Sequence, residues 1–278
     1  MRGGSPGAMA MSMCEYFPIP ESFEEQCYLS QVSAAMTIAR SIPYFRADRG
    51  YCSGTLYWQL NDMWPCPSPS AIDYYDCKKA MWYFIKRSFS PVLVYAKVNG
   101  NFTDSNCIWR QTFSHEYSVD FTLCNDTMQG FEGAIKYSVC KSDGTVVFSG
   151  SEDLCAEACN VASFKAELPE SINMAEDYLH FEAIDKNGNV VYAGNSLFIL
   201  PKYYSFENPD FKVNVDGDYI DVTSNCFAFG VQLYTEDGVL ECDDNFFSME
   251  KGTRRVKILK RGEGEIKIRA VNTVIYKK

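Results

Sequence analysis

Nowhere in this sequence does an apolar run approach the length of about 20 residues needed to cross a bilayer, which argues against a membrane-spanning anchor. Histidine is scarce: there are only two, His115 and His180, and none of the twelve cysteines forms a CxxC pair. A zinc site therefore has poor ligand support, and nothing else in the residues asks for a metal or an organic cofactor. Basic residues are outnumbered 26 to 36, for a net charge of −10. Nucleic acid and anionic membrane surfaces offer such a chain no counter-charge and are set aside as partners. The opening MRGGSPGAMAMSM has no apolar core of the kind a secretion signal needs, and residues 1–20 are read as a disordered start outside the fold.

What remains is an ordinary globular composition, 46% hydrophobic and 22% charged, in 278 residues, enough for two or three domains. The aromatic content of 15% suits sugar-stacking clefts and β-sheet cores alike. Cys155 and Cys159 fit a helical turn, a disulfide or two thiols, and buried thiols are the plainer reading. Two acceptor sequons, Asn101-Phe102-Thr103 and Asn125-Asp126-Thr127, matter only if the chain enters a secretory route.

Ser22-Phe23-Glu24-Glu25 predicts a capping box, and Leu29, Val32, Ala35, Met36, Ala39 and Ile42 mark the buried stripe of the helix that follows, with Pro43 near its end. Thr55 to Leu60 is a short aromatic-rich apolar run between Gly54 and the polar pair Asn61-Asp62, the pattern of a buried strand ending in a functional loop. A Pro/Ser-rich loop follows. Met81, Phe84, Ile85 and Phe89 then recur at helical spacing, with Lys86 and Arg87 in the last turn and Pro91 as the stop. Strand, loop and helix in that order suit one step of a parallel (β/α)8 barrel, in which binding residues sit at the carboxyl ends of strands.

From Val92 the texture changes to short alternating segments divided by turns, the pattern of antiparallel sandwiches. Candidate strands lie in VLVYAKV, TLC, AIKYSVC, TVVFSG, SFKAEL, LHFEAID and VVYAGNSLFIL, with Ser142-Asp143-Gly144 and Lys186 to Asn189 as hairpin turns. A second set follows from Phe211: FKVNVDG, YIDVTSN, FAFGVQLYT, RRVKILK and EIKIRAV. Asp243-Asp244 between them reads as a solvated turn rather than a calcium site.

The words YWQLND and WP, the Pro/Ser loop, IDYY, the Lys-rich helix start and the closing SP resemble the last strand and helix of the catalytic barrel in β-mannosidases of the family-2 glycoside hydrolases. YLSQVSAAMTIAR resembles the helix before that strand, and CDDNFFSMEKGTRRVKI a segment of the terminal β-domain in the same enzymes. The resemblance implies a multidomain chain: the tail of a (β/α)8 TIM barrel, its last helix-strand-helix units, over 21–95, then immunoglobulin-like β-sandwich domains over 96–203 and 204–278. It implies a retaining exo-β-mannosidase acting on β-mannoside oligosaccharides with two Glu carboxyls about 5 to 5.5 Å apart. Both Glu are expected upstream of this chain, in the missing amino-terminal part of the enzyme, so the catalytic residues here are none and the chain alone is expected to be inactive. Glu15 lacks the aromatic-Gly context of the nucleophile. Trp58, matching the strand-eight Trp, would hold the mannose ring, with Asn61, Asp62 and Trp64 as further substrate-binding candidates. Asp62 could instead orient neighbouring groups or tie down the Pro-rich loop. Rival readings are a related exo-β-glucosaminidase or β-galactosidase, a carbohydrate- or protein-binding sandwich module, and a truncated product without function. Animal relatives are lysosomal, which leaves the compartment open for a chain with no visible targeting segment.

Overall fold

A computed structural model describes residues 6–99 and 116–276; the sequon at Asn101 and His115 lie outside them. Three helices come first: α1 (Pro6–Tyr16), α2 (Phe23–Ala47) and α3 (Ala80–Ser88). The capping box at Ser22 is present, its hydroxyl accepting from the Glu25 amide and the Glu25 carboxylate accepting from the Ser22 amide. One expectation is corrected. The start is helical from Pro6 and buries Met13, Tyr16 and Phe17, because a Gly/Ala/Met composition permits a helix even where it shows no apolar stripe. As expected, Pro43 lies near the end of α2, which closes at Ala47, and the last turn is held from outside by Arg46, which donates to the Ser88 carbonyl and pairs with Asp126. No helix among the described residues is long and apolar enough to cross a membrane.

The remaining chain is β-rich. β1 (Val92–Val98), β2 (Ser118–Asn125) and β5 (Asn160–Glu167) form one antiparallel sheet in the order β1-β2-β5. β3 (Phe131–Lys141), β4 (Val146–Ala156), β6 (Asp177–Asp185) and β7 (Val190–Leu197) form the sheet that faces it, in the order β4-β3-β6-β7. Alternating residues meet between the sheets. The Phe121 ring lies 5.2 Å from Phe164, 5.1 Å from Tyr137 and 5.8 Å from Phe181. The expected strands of this region are all found, and both hairpin turns carry a glycine at positive φ, Gly144 and Gly188.

A second pair of sheets follows. β8 (Lys212–Asp216), β9 (Tyr219–Ser224), β11 (Glu241–Cys242) and β13 (Gly252–Lys260) make one, in the order β11-β13-β9-β8. β10 (Ala228–Tyr234), β12 (Phe247–Met249) and β14 (Lys267–Arg269) make the other, before a closing turn of helix, α4 (Val271–Ile275). Ile220, Val222, Val231, Leu233 and Val256 fill the space between them. β11, β12 and α4 have no strong period in the sequence and were not expected.

The two β-units and the helices are not beads on a string, since one continuous core runs through α1 to α3, the first pair of sheets and Phe227, Phe229, Phe246 and Val271 of the second. The segment Asp243 to Phe246 carries much of this join. Asn245 is buried and closes a two-way pair with Leu233, donating to its carbonyl and accepting from its amide, both at 2.8 Å. That pair holds Phe246 at a φ of 49°, with its ring 6.2 Å from Tyr28 of α2 and 6.1 Å from Tyr83 of α3. Arg87 of α3 donates to Asp244 and to the carbonyls of Asn245 and Phe246, while Lys86 donates to the carbonyl of Asp243. Asp244 also pairs with Arg254, so the aspartate pair is a docking plug and not a solvated turn. On α2, Tyr28 donates to the Gly230 carbonyl at 2.6 Å; burial pushes its hydroxyl far up in pKa and keeps it a donor.

The sheets also meet directly. His180 on β6 is flanked by Glu182 at 3.4 Å, by Asn195 of β7 at 2.9 Å, and by Glu250, which follows β12. Burial works against a charged ring, but the bond and charge of Glu250, the bond to Asn195 and the charge of Glu182 outweigh it and push His180 up to about 9.

Three outcomes follow. Phe246→Ala, which empties a site between three packed elements, should cost about 3 to 5 kcal/mol in chemical denaturation, and Asn245→Ala about 1 to 3 kcal/mol for each Leu233 group left unpaired. A folded-state pKa raised above the ordinary value of about 6.5 gives stability that is complete below that pH and fades as pH rises through about 9, so the gap in melting temperature between the protein and His180→Gln should close over that window. At neutral pH the gap should correspond to about 1 to 2 kcal/mol after allowance for the solvent around half-exposed Glu250.

Candidate functional site

Tyr57 packs against the shared core, while its neighbours Leu56 and Trp58 face outward, 98% and 74% exposed. Leu60, Met63 and Trp64 continue that outward face. The expected strand over Thr55 to Leu60 is not formed among the described residues, since a strand needs a hydrogen-bonded neighbour along its length and this one is met only at its end. There Ala71 donates to the Gln59 and Leu60 carbonyls, Ile72 to Leu60, and Asp62 to Ile72, leaving one parallel bridge between Asn61 and Ile72. The Trp58-Gln59 peptide bond is cis.

The four candidate residues part company here. Trp58, Asn61 and Trp64 lie on the surface, whereas Asp62 is 6% exposed and turned inward. Ser68 donates to one oxygen of its carboxylate at 2.5 Å and Ser70 to the other at 2.7 Å; the Lys79 ammonium stands 3.1 Å from that second oxygen and 2.7 Å from the Ser70 hydroxyl. Burial by itself would raise the Asp62 carboxyl, but the bonds from Ser68, Ser70 and Lys79 and the Lys79 charge prevail and hold it below the usual carboxylate range. With both oxygens engaged, Asp62 fastens the Pro-rich loop to the start of α3. Its partners were legible only as a loop composition: two serines two residues apart and a lysine at a helix start are common, and nothing in the order of residues says that they converge.

Other candidates resolve as structural groups. Asn125 is fully buried, its amide donating to the carbonyls of Gln129 and Glu157 and its oxygen accepting from Thr127, so in the folded chain this sequon is a turn and not an accessible acceptor. Cys155 and Cys159 are exposed and unbridged, against the reading of buried thiols, because Cys155 points outward from β4 between buried Leu154 and Ala156 while Cys159 lies in the turn that follows. Glu15 lies on α1, away from the Asn61 to Ser70 loop in sequence.

Similar proteins bear on this geometry. The chain is 30% identical to β-mannosidase A of Aspergillus oryzae and 22% identical to that of Aspergillus terreus, in each case over 90% of its own length. A β-D-mannosidase from Dictyoglomus thermophilum superposes on 96% of it with a TM-score of 0.77 at 21% identity. This chain is a β-mannosidase homologue. An exo-chitosanase from Amycolatopsis orientalis shares the fold at a TM-score of 0.65 and 16% identity over 91% of the chain. No family model matches. The homologue spans about a third or less of these relatives, 29% and 28% of the two fungal proteins, 32% of the bacterial mannosidase and 34% of the exo-chitosanase.

If Asp62 is the anchor of its loop, Ser70→Ala and Lys79→Met should leave the two sandwich units folded but speed limited proteolysis within residues 62–70 by about tenfold, equivalent to about 1.4 kcal/mol of local opening. Unchanged cleavage rates in both variants would remove that role.

Proposed function

We propose that this chain is the carboxyl-terminal part of a retaining exo-β-mannosidase that removes terminal β-D-mannose from oligosaccharides. On this reading residues 21–95 are the tail of a TIM barrel and the two pairs of sheets are immunoglobulin-like domains behind it. The homology to β-mannosidases over most of the chain supports it, as does the order β1-β2-β5 facing β4-β3-β6-β7, which is a sandwich arrangement of that type. The observation that carries the site is the pairing of an outward Trp58 with an inward Asp62 four residues on: a flat apolar ring presented to the outside by a loop whose base is fastened.

The roles follow from that placement. Trp58 offers its face to the C–H side of a mannose ring, Asn61 supplies hydrogen bonds to hydroxyls, and Trp64 lines an outer position. Asp62 acts on the sugar only through the loop it holds. The nucleophile and the acid/base, two glutamates about 5 to 5.5 Å apart in a retaining enzyme, belong to the amino-terminal part that this chain does not include, and without them it binds without cleaving. A related exo-β-glucosaminidase is the second reading, favoured by the fold shared with the exo-chitosanase.

In a longer protein that contains both glutamates, Trp58→Ala should lower kcat/KM for an aryl β-mannoside by at least about tenfold, mostly through KM, the loss of one stacked ring. The 278-residue chain alone should hydrolyse nothing. Turnover by the chain alone that is abolished by Glu15→Gln would defeat the proposal, and a preference for an aryl β-glucosaminide would select the second reading.

A further inference from the structure

Where the helices and both pairs of sheets meet there is a cavity of about 720 Å³, within the range of small-ligand sites, about 300 to 1,000 Å³. Its walls come from α2, α3, β1, β6, β7 and the β12–β13 corner, so no one unit makes it alone. Trp58, Asn61, Asp62 and Trp64 are not among its lining residues. Its lining includes three partly exposed aromatic residues, Phe84, Tyr95 and Tyr192. The lining also holds His180, Asn195 and Glu250, from three different segments, with Asn195 and Glu250 both meeting the His180 ring, so that an amide, an imidazole and a carboxylate converge.

Charge decides the class of ligand. Arginines and lysines are frequent on the lining, which by itself would suggest an anion. Most are already matched: Arg87 and Arg254 share Asp244, Arg255 lies between Asp216 and Asp221, and Lys97 faces Asp120. His180 has two carboxylates of its own, Glu182 and Glu250. A wall so balanced is rich in donors and acceptors without a strong net field, and a bound ion would have to break pairs to gain one. A neutral ligand with many hydroxyls and an apolar face breaks none: its C–H face suits the aromatic residues, and its hydroxyls suit Asn195 and Glu250.

We propose that this cavity is a binding site for a neutral saccharide, with Asn195 and Glu250 as its hydrogen-bonding residues and Phe84 and Tyr95 as its apolar contacts. The site does not depend on the role assigned to Trp58. Its size accommodates a hexose or a short oligosaccharide rather than a long chain lying along a surface.

The test is saturation-transfer NMR and calorimetry on the 278-residue chain with mannose and β-1,4-mannobiose as probes and glucuronate as the charged comparator. Mannobiose should still bind in a Trp58→Ala background, which removes the outer surface position, and Asn195→Ala and Glu250→Gln added to that background should each weaken it by about tenfold, as expected for one lost hydrogen bond to the ligand. Melting curves identify a variant that fails to fold; if Asn195→Ala does, the near-isosteric Glu250→Gln decides. The proposal is overturned by no binding of either neutral sugar, by tighter binding of glucuronate, or by affinity that disappears in Trp58→Ala and persists in Glu250→Gln.

Discussion

The arrangement depends on one polar pair. Asn245 spends both ends of its amide on Leu233, and in doing so fixes a left-handed turn that pushes Phe246 out of its own domain and between Tyr28 and Tyr83. A side chain that satisfied only one of the Leu233 groups would leave the other buried and unpaired, so the turn has few alternatives. Around the inserted ring the contacts become electrostatic. Arg87 reads the turn through its carbonyls as well as through Asp244, and a guanidinium fork is suited to that in a way an ammonium is not. The helices are gripped from the other side as well, where Arg46 and Arg49 converge on Asp126 at the end of β2.

This gripping explains how a few helices keep order with one side uncovered. Leu56, Trp58, Leu60 and Trp64 are exposed, yet Ile85 and the inner face of α2 are buried in the shared core. The burial that the helices lack on one side is offset on the other. The consequence is an asymmetric element: its sandwich-facing side is fixed by packing and ion pairs, while its outer side presents aromatic rings over a loop fastened from beneath by Asp62, Ser68, Ser70 and Lys79.

Local signals in the residue order foretold much of this. The Ser22 capping box, the stripe of α2 and the alternating strands from Val92 on are all features of near neighbours in the chain, and all have a period that reads directly as structure. What failed was non-local. The strand over Thr55 to Leu60 has the right composition but finds a hydrogen-bonded neighbour only at its end, and composition cannot report a neighbour. The plug at Asp243 to Phe246 looked like a solvated turn because two aspartates and an asparagine are ordinary turn residues; Arg87 and Arg254, which change their meaning, are distant in sequence in the first case and on another strand in the second. The same holds for His180 and Glu250, seventy positions apart and joined only by the meeting of two pairs of sheets.

The buried Asn125 has a further consequence that is kinetic. Its tripeptide is a valid acceptor as long as β2 and β5 are apart, and becomes inert once its amide is taken up by Gln129 and Glu157. In a compartment that glycosylates nascent chains, closure of this turn and attachment of a glycan would therefore compete, and a molecule that lost the race would carry a bulky group where the sheet has room for none. Fast local pairing of this sheet would then be selected for its timing as well as for the stability it confers.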